Sequence, residues 1–303
     1  MILGADVGFD ELSKLLASKQ LSIFAGSGIS VESGLPAWDG FIDKYIEICQ
    51  ILNKCLPPDL RFDGIIDDAK DSYRNKNLID TVTALKEKIK YCKENGVNVD
   101  FCDDILNELF YSAKCNQYHE MIVSTSYNHI ITTNYDTLLE DAAKKLGYYK
   151  LLTSSYSFQD YQDISAAIYS GNTAIIHAHG KIADLKLDEF VLTKQDYLNI
   201  MKHNPGFRYI INTIFITNSV LFVGYGGSDP HFEDIIDDLN LTLNWSGNNP
   251  HLPKCYIMMI KDKATPIREF LNDSNRIDII AFNTYEEMKD FLDRICKAFP
   301  RAK

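Results

Sequence analysis

The chain has 303 residues, 46% of them hydrophobic, and carries 31 basic against 42 acidic side chains for a formal charge of −11. That size supports one large domain or two small ones around a substantial core, while the acidic balance speaks against a broad nucleic-acid-binding face, which needs clustered Lys and Arg. No apolar run approaches the ~20 residues that span a bilayer. Met1 to Asp10 has neither a basic stretch nor a long apolar core, so a cytoplasmic location is expected. Seven scattered cysteines, with no Cys-x-x-Cys pair, read as reduced thiols and provide no tetrathiolate zinc ribbon.

In chain order, Phe9 to Ser18 has apolar residues at helical spacing. Leu21 to Ala25 is a short apolar run that reads as a buried strand, broken at Gly26-Ser27-Gly28. Ile29 to Ser33 then reads as the first turn of a helix, whose free N–H groups and positive dipole end suit a pyrophosphate. Gly26 is expected to use backbone angles closed to other residues, and Gly28 to let a ligand approach the main chain. A strict dinucleotide fingerprint would put a third glycine at position 31, where the chain has Val31. A tight βα turn without a ligand therefore stays open beside the phosphate cradle of a doubly wound fold.

Trp38 to Leu52 repeats the helical pattern, and Cys55 to Asp63, with Pro57-Pro58, reads as a loop. From Ile65 to about Val123 only helical patterns occur, in three pieces: Ile65 to Tyr73, Leu78 to Tyr91 and Phe101 to Ala113. This predicts a helical insertion at about 45–127, covering one side of a sheet.

His129 to Thr133 is a β-rich run ending at Asn134, and Asp136 to Leu146 is a helix closed by Gly147. Ala174 to His177 is a strand ending in Ala178-His179-Gly180, and Phe190 to Thr193 reads as another short strand. Lys194 to Met201 and Pro205 to Thr217 are helices, Val220 to Val223 a strand ending at Gly224, and Asp229 to Leu243 a helix. After a loop at Trp245 to Pro253 come strands at Cys255 to Ile260 and Ile277 to Phe282, then an amphipathic helix at Tyr285 to Phe299. The alternation predicts an α/β, doubly wound, mainly parallel sheet with helices on both faces, in one domain over residues 1–303.

Such sheets bind ligands at the carboxyl ends of their strands. Four predicted ends are polar or glycine-rich: 26–28, 134–136, 179–180 and 224–229. Asn134 can donate and accept, which suits ribose hydroxyls or a water held beside them; equally, Asn134 and Asp136 are favoured helix caps. His179 can take a proton near neutral pH. His177, two residues earlier, could join it in a metal site only with further ligands such as Asp136 or Asp229, and no spacing supports that. Asp229 before Pro230 suits either a ribose or a helix cap.

Gly26-Ser27-Gly28-Ile29-Ser30 with Ser33-Gly34-Leu35-Pro36 resembles the first motif of the sirtuin superfamily. Thr132-Thr133-Asn134-Tyr135-Asp136, His179-Gly180 and Gly224-Tyr225-Gly226-Gly227-Ser228-Asp229-Pro230 resemble its second, third and fourth, in order. The chain is most similar to the Sir2-like NADase domains of bacterial antiphage defence. The resemblance implies a Rossmann-like, sirtuin-type fold with NAD as substrate. It assigns Asn134 and His179 to catalysis and Asp136 to placing the nicotinamide ribose or ring. It puts Gly26, Ser27, Gly28 and Ser30 on the pyrophosphate, Trp38 beside the nicotinamide ribose, and Gly224, Gly226, Ser228 and Asp229 near the adenosine ribose. It further implies a homo-oligomer or a partner protein of the same defence system. Two departures weaken a protein-deacylase reading: the zinc ribbon is missing, and Asp39 follows Trp38 where sirtuins have Arg. A nucleotide-binding sensor without turnover stays open beside the hydrolase.

Overall fold

The computed structural model describes residues 1–74, 78–186, 188–225, 252–264 and 276–303. Eight parallel strands form one sheet: β1 (Ile2–Leu3), β2 (Leu21–Ala25), β3 (Ile130–Thr132), β4 (Ser155–Ser157), β5 (Ile175–His177), β6 (Ser219–Val223), β7 (Cys255–Ile260) and β8 (Ile277–Phe282). Their spatial order is β1-β8-β7-β6-β2-β3-β5-β4. The expected α/β, mainly parallel, doubly wound architecture is what forms. β2, β6, β7 and β8 are almost wholly buried along their length, which is why they read as mainly apolar runs, broken only by Ser22, Ser219 and Asp278, rather than as alternating ones.

The chain leaves β2 towards β3 on one side and returns to β6 on the other. That reversal makes the carboxyl end of β2, flanked by those of β3 and β6, the crevice where doubly wound sheets take ligands. Each face of the sheet has its own core. One packs Phe24, Phe222, Ile257 and Ile279 under α9 (Tyr161–Tyr169), α10 (Lys194–His203) and α11 (Pro205–Thr217). The other packs Ile23, Leu221, Met258 and Ile280 under α1 (Ala5–Ala17), α6 (Gln117–Ser124), α7 (Leu138–Leu146) and the last helix, α12 (Tyr285–Ala298). Phe24 and Phe222 stack across β2 and β6 with centroids 5.1 Å apart, a contact that adds to the area both rings bury.

A third core unites α2 (Trp38–Cys55), α3 (Asp63–Arg74), α4 (Leu78–Glu94) and α5 (Asp100–Tyr111) with Tyr135, Phe190 and Leu192. The described residues between β2 and β3 contain no strand. α6 differs from the four helices before it, because Met121, Ile122 and Val123 pack on the sheet itself.

Four departures from the sequence reading have physical causes. Residues Ser27–Ser33 form a 3₁₀ helix, not the start of an α-helix, closed by Gly34 at φ 86°. Phe190 to Thr193 is not a strand. Its main-chain groups are spent on side chains: Leu192 and Thr193 N–H donate to Asp196, while the carbonyls of Phe190 and Val191 accept from Lys86 and Tyr135. Half of the segment's donors and acceptors are committed this way, which competes with a strand ladder. β1 and β4 were too short to stand out, and α6, α8 (Tyr149–Leu152) and α9 carry weak periodic patterns. The helix expected at Asp229 to Leu243 lies outside the described residues, as do Gly226, Ser228 and Asp229. Among the described residues no helix is long and apolar enough to cross a membrane.

Candidate active site

The loop after β2 is built by close backbone contact. Gly26 N–H donates to Val223 O at 2.8 Å, Gly28 N–H to Gly224 O at 3.0 Å and Ile29 N–H to Gly26 O at 3.2 Å. A Cβ on Gly28 would lie 2.7 Å from Gly224 O, and one on Gly26 2.9 Å from the Tyr225 ring. Gly26 has φ −106° and ψ 179°, which any residue adopts. The expected roles of both glycines change accordingly: they are small so that this loop can lie against the end of β6, and three N–H groups expected at a pyrophosphate are spent inside the protein. Gly224, at φ 80°, is the residue here that needs left-handed backbone.

This packing delivers Ser30 into a cavity at the ends of β2, β3 and β5. Ser27, Ser30, Trp38, Asn134, Asp136 and His179 all line it, and Leu35, Phe41 and Phe110 supply an apolar wall. Six residues singled out in the sequence thus meet at one place. Gly224 buttresses the loop behind them, and Asp39 caps its own helix turn by accepting from Gly40 N–H.

Ser30 is the hub. Its hydroxyl donates to Asp136 Oδ2 at 2.8 Å and accepts from Asn134 Nδ2 at 3.1 Å. The third partner is His119 Nε2 at 3.2 Å. His119 Nδ1 accepts the N–H of Asn116 at 3.1 Å, so the ring proton sits on Nε2 and points to Ser30. Burial pushes His119 down to about 4, in keeping with a neutral ring. A hydroxyl offers one donor and two acceptor sites, and all three are used.

Asp136 serves two purposes at once. Oδ2 takes the Ser30 proton, and Oδ1 accepts from Leu138 N–H at 3.1 Å at the start of α7. Asp136 thus lines the cavity and holds the start of α7 with separate oxygens. Burial raises its carboxyl above the usual range, and the bonds from Ser30 and Leu138 pull it back. Asn134 is fixed by three bonds: its N–H to Thr132 Oγ1, its C=O to His177 Nδ1 and its Nδ2 to Ser30. Its remaining group, Oδ1, is buried and has no partner among the described residues. His179 is 1% exposed, with Tyr135 and Tyr197 rings about it. It follows β5 and precedes Gly180 at φ 85°, a turn that ends the strand.

His177 does not share the cavity. Both its ring nitrogens are committed, to Asn134 O and to Glu140, which removes it as a metal ligand. Among the described residues no group of three or more His, Cys, Asp or Glu is placed to hold a metal ion. The sequence reading missed His119 and Asn116. The signal was there: Asn116-x-x-His119 ahead of Met121-Ile122-Val123 forms a capping box at the start of α6. Asn116 also reaches back to Ile29 O and Ser33 Oγ, tying α6 to the loop. Tyr225 was named only as part of a motif, yet its hydroxyl meets Thr133 Oγ1 at 3.1 Å and joins the ends of β3 and β6.

A family model for the SIR2-like domain matches residues 128–280, half of the chain and the span from β3 to β8. The chain belongs to the SIR2-like family. The Defense-associated sirtuin 2 of Bacillus subtilis is 27% identical over 237 residues, 78% of this chain and 20% of that protein. The NAD(+) hydrolases ThsA of Enterococcus faecium and Cytobacillus dafuensis are 23% and 21% identical over 95% and 98% of this chain. Those alignments take in 58% and 57% of the relatives, so this SIR2-like chain spans little over half their length. The matched stretch contains Asn134, Asp136, His177 and His179. Ser30, Trp38 and His119 lie before it, on the elements that close the cavity from the other side.

Proposed function

We propose that this SIR2-like chain hydrolyses NAD at the nicotinamide–ribose bond, releasing nicotinamide and ADP-ribose, as a cytoplasmic effector of antiphage defence. The observation that carries the reading is Asn134 Oδ1, a buried acceptor without a partner among the described residues, in a cavity where the other polar groups of that residue are fixed. Leaving such a group unmet costs about 1–3 kcal/mol, and a ribose hydroxyl, or a water beside it, would satisfy it. The names of the ThsA relatives support the substrate.

In this reading the C–N glycosidic bond breaks with its electron pair passing to the pyridine nitrogen, so nicotinamide leaves neutral. A water oxygen bonds to the ribose carbon and its proton passes to His179. Asn134 holds the ribose hydroxyls or that water, with Ser30 and Asp136 fixing the Asn134 amide. The apolar wall of Trp38, Phe41 and Phe110 takes the nicotinamide side. Ser27 would face the pyrophosphate from a loop that Gly26 and Gly28 hold against β6, and Gly224, Gly226, Ser228 and Asp229 the adenosine ribose.

Asn134→Ala in the full-length protein, assayed with its natural trigger present, should lose about a hundredfold or more in nicotinamide release while keeping its fold by circular dichroism. A wild type that binds NAD and leaves it intact would turn the reading to a sensor, and an Asn134→Ala variant with undiminished turnover would refute it. We further propose that residues 1–303 act as one unit, in which the helices at about 45–127 pack against a second copy or a partner protein. A chain that is monomeric at micromolar concentration and fully active alone would contradict that.

A further inference from the structure

Behind the cavity lies a second layer of polar contacts. His177, the last residue of β5, has no exposed surface. Its Nδ1 lies 3.1 Å from the backbone oxygen of Asn134, and its Nε2 lies 2.8 Å from Glu140 Oε1. A carbonyl oxygen only accepts, so Nδ1 carries a proton. Burial alone would raise the Glu140 carboxyl, but the charge of His177 and hydrogen bonds from His177 and Ser155 bring it down to about 2. Nε2 and Glu140 Oε1 share the other hydrogen bond, so the contacts describe a buried pair bridged to the Asn134 carbonyl.

Buried polar groups are held by pairing and hydrogen bonds; Glu140 Oε1 has two such partners, while Oε2 is buried with none among the described residues. Glu140 stands in the first turn of α7, where the helix dipole favours an anion. Its Oε1 also accepts the Ser155 hydroxyl from β4, and Lys181 Nζ donates to Ser155 O at 3.0 Å. Four elements, β3, β4, β5 and α7, are joined through these groups.

The pair acts on one residue of the cavity. Asn134 N–H is held by Thr132 Oγ1 at 3.0 Å, and Tyr135 C=O by Ile182 N–H at 2.9 Å. The Asn134 carbonyl lies between these two points, and its partner is His177. With the backbone pinned on both sides, the Asn134 side chain has one direction to take, and Ser30 fixes the amide rotation. Oδ1 is left as the acceptor.

We propose that the hydrogen-bonded Glu140–His177 pair is a positioning device for Asn134, setting the direction of its amide oxygen through the His177 N–H bond to the Asn134 carbonyl. Its kinetic consequence rests on the NAD-hydrolase reading; its structural consequence does not. A pair that served stability alone would lower the folded fraction and leave the turnover of folded protein unchanged.

The test uses the full-length protein and NAD, with three variants. His177→Phe and Glu140→Leu should each lower kcat about tenfold to a hundredfold, the range of lost positioning groups, with KM for NAD changed no more than about threefold. Glu140→Gln, which can still hold the ring through Nε2, should recover most of the rate lost in Glu140→Leu. Side-chain ¹⁵N spectra of histidine-labelled wild type should show His177 Nδ1 protonated, and the Asn134 side-chain amide signal should move in Glu140→Leu. A bare His177 Nδ1 in the wild type would overturn the bond to the Asn134 carbonyl, whether or not NAD is cleaved. Unchanged kcat in folded His177→Phe and Glu140→Leu, or an Asn134 amide signal that stays in place, would overturn the positioning role. If the wild type leaves NAD intact, the hydrolase reading fails by itself and the spectra still decide this one.

Discussion

Acidification should loosen this fold earlier than carboxylate titration would, because two histidines are buried neutral. His119 is 0% exposed at the hub of the cavity, and burial pushes it from its ordinary 6.5 to about 4. His129, beside the start of β3, is brought to about 4 by burial and by the charge of Arg301. Each folded value lies below the unfolded one. Between about pH 4 and 6.5 the unfolded chain therefore binds a proton that the folded chain refuses, and stability falls as pH falls through that window. At about pH 5 the unfolded state gains roughly 2 kcal/mol per histidine, and near pH 7 almost nothing. Together the two amount to about 4 kcal/mol, a large share of a typical 5–15 kcal/mol stability. Glu140, held near 2, works in a lower window: its contribution is present above its ordinary 4.5 and is lost only as pH falls towards 2. Asp136, raised by burial, has the opposite sign and favours the fold at low pH. The assay is urea unfolding at about pH 7 and pH 5 for wild type, His119→Gln and His129→Gln. Each variant should lose about 2 kcal/mol less on acidification than the wild type does. If His119→Gln loses as much as the wild type, the ring is not held neutral at Ser30 and the hub is wired differently.

The loop and the hub make two further predictions. Gly28→Ala should cost about 1–3 kcal/mol of stability in urea unfolding without NAD, because its Cβ would meet backbone atoms of Gly224 that no rotamer can move; a variant as stable as wild type would return Gly28 to a purely ligand-facing role. Ser30→Ala takes a partner from Asp136, Asn134 and His119 at once, so it should cost roughly 3 kcal/mol and also lower nicotinamide release. Equal stability with full activity would mean that these side chains find other partners.

Much of the sheet was legible because its strands are buried on both faces. Cys255–Ile260 is an unbroken apolar run, and Leu21–Ala25 and Ile277–Phe282 are apolar but for Ser22 and Asp278. β4 has the sequence Ser-Tyr-Ser and β1 is two residues long. Both exist because a neighbouring strand offers an edge, a tertiary fact with no local signature. The opposite error occurred at Phe190 to Thr193, whose residue types favour a strand. Asp196 claims its N–H groups for the capping box of α10, and local side-chain chemistry overrides propensity.

The site divides along the same line. Asn134, Asp136 and His179 could be picked out because they stand just past strand ends, where a doubly wound sheet presents its ligand face, and Ser30 because it belongs to a motif shared with the sirtuin superfamily. The residues that hold them could not. Glu140 reads as one more charge on an amphipathic helix, and His177 as the neighbour of a more conspicuous histidine. Only folding brings one to 2.8 Å from the other beneath Asn134. The loop after β2 shows why this matters for chemistry. A helix N-terminus binds anions with N–H groups that nothing else uses. Here the turn is a short 3₁₀ helix, and Gly26, Gly28 and Ile29 spend theirs on the end of β6 and on the loop itself. What the loop contributes instead is rigidity: it fastens β2 to β6 and sets one hydroxyl, that of Ser30, between a carboxylate, an amide and a neutral imidazole. Held from behind in this way, the Ser30 hydroxyl, the Asp136 carboxyl and the Asn134 amide have one arrangement at the mouth of β2 and β3.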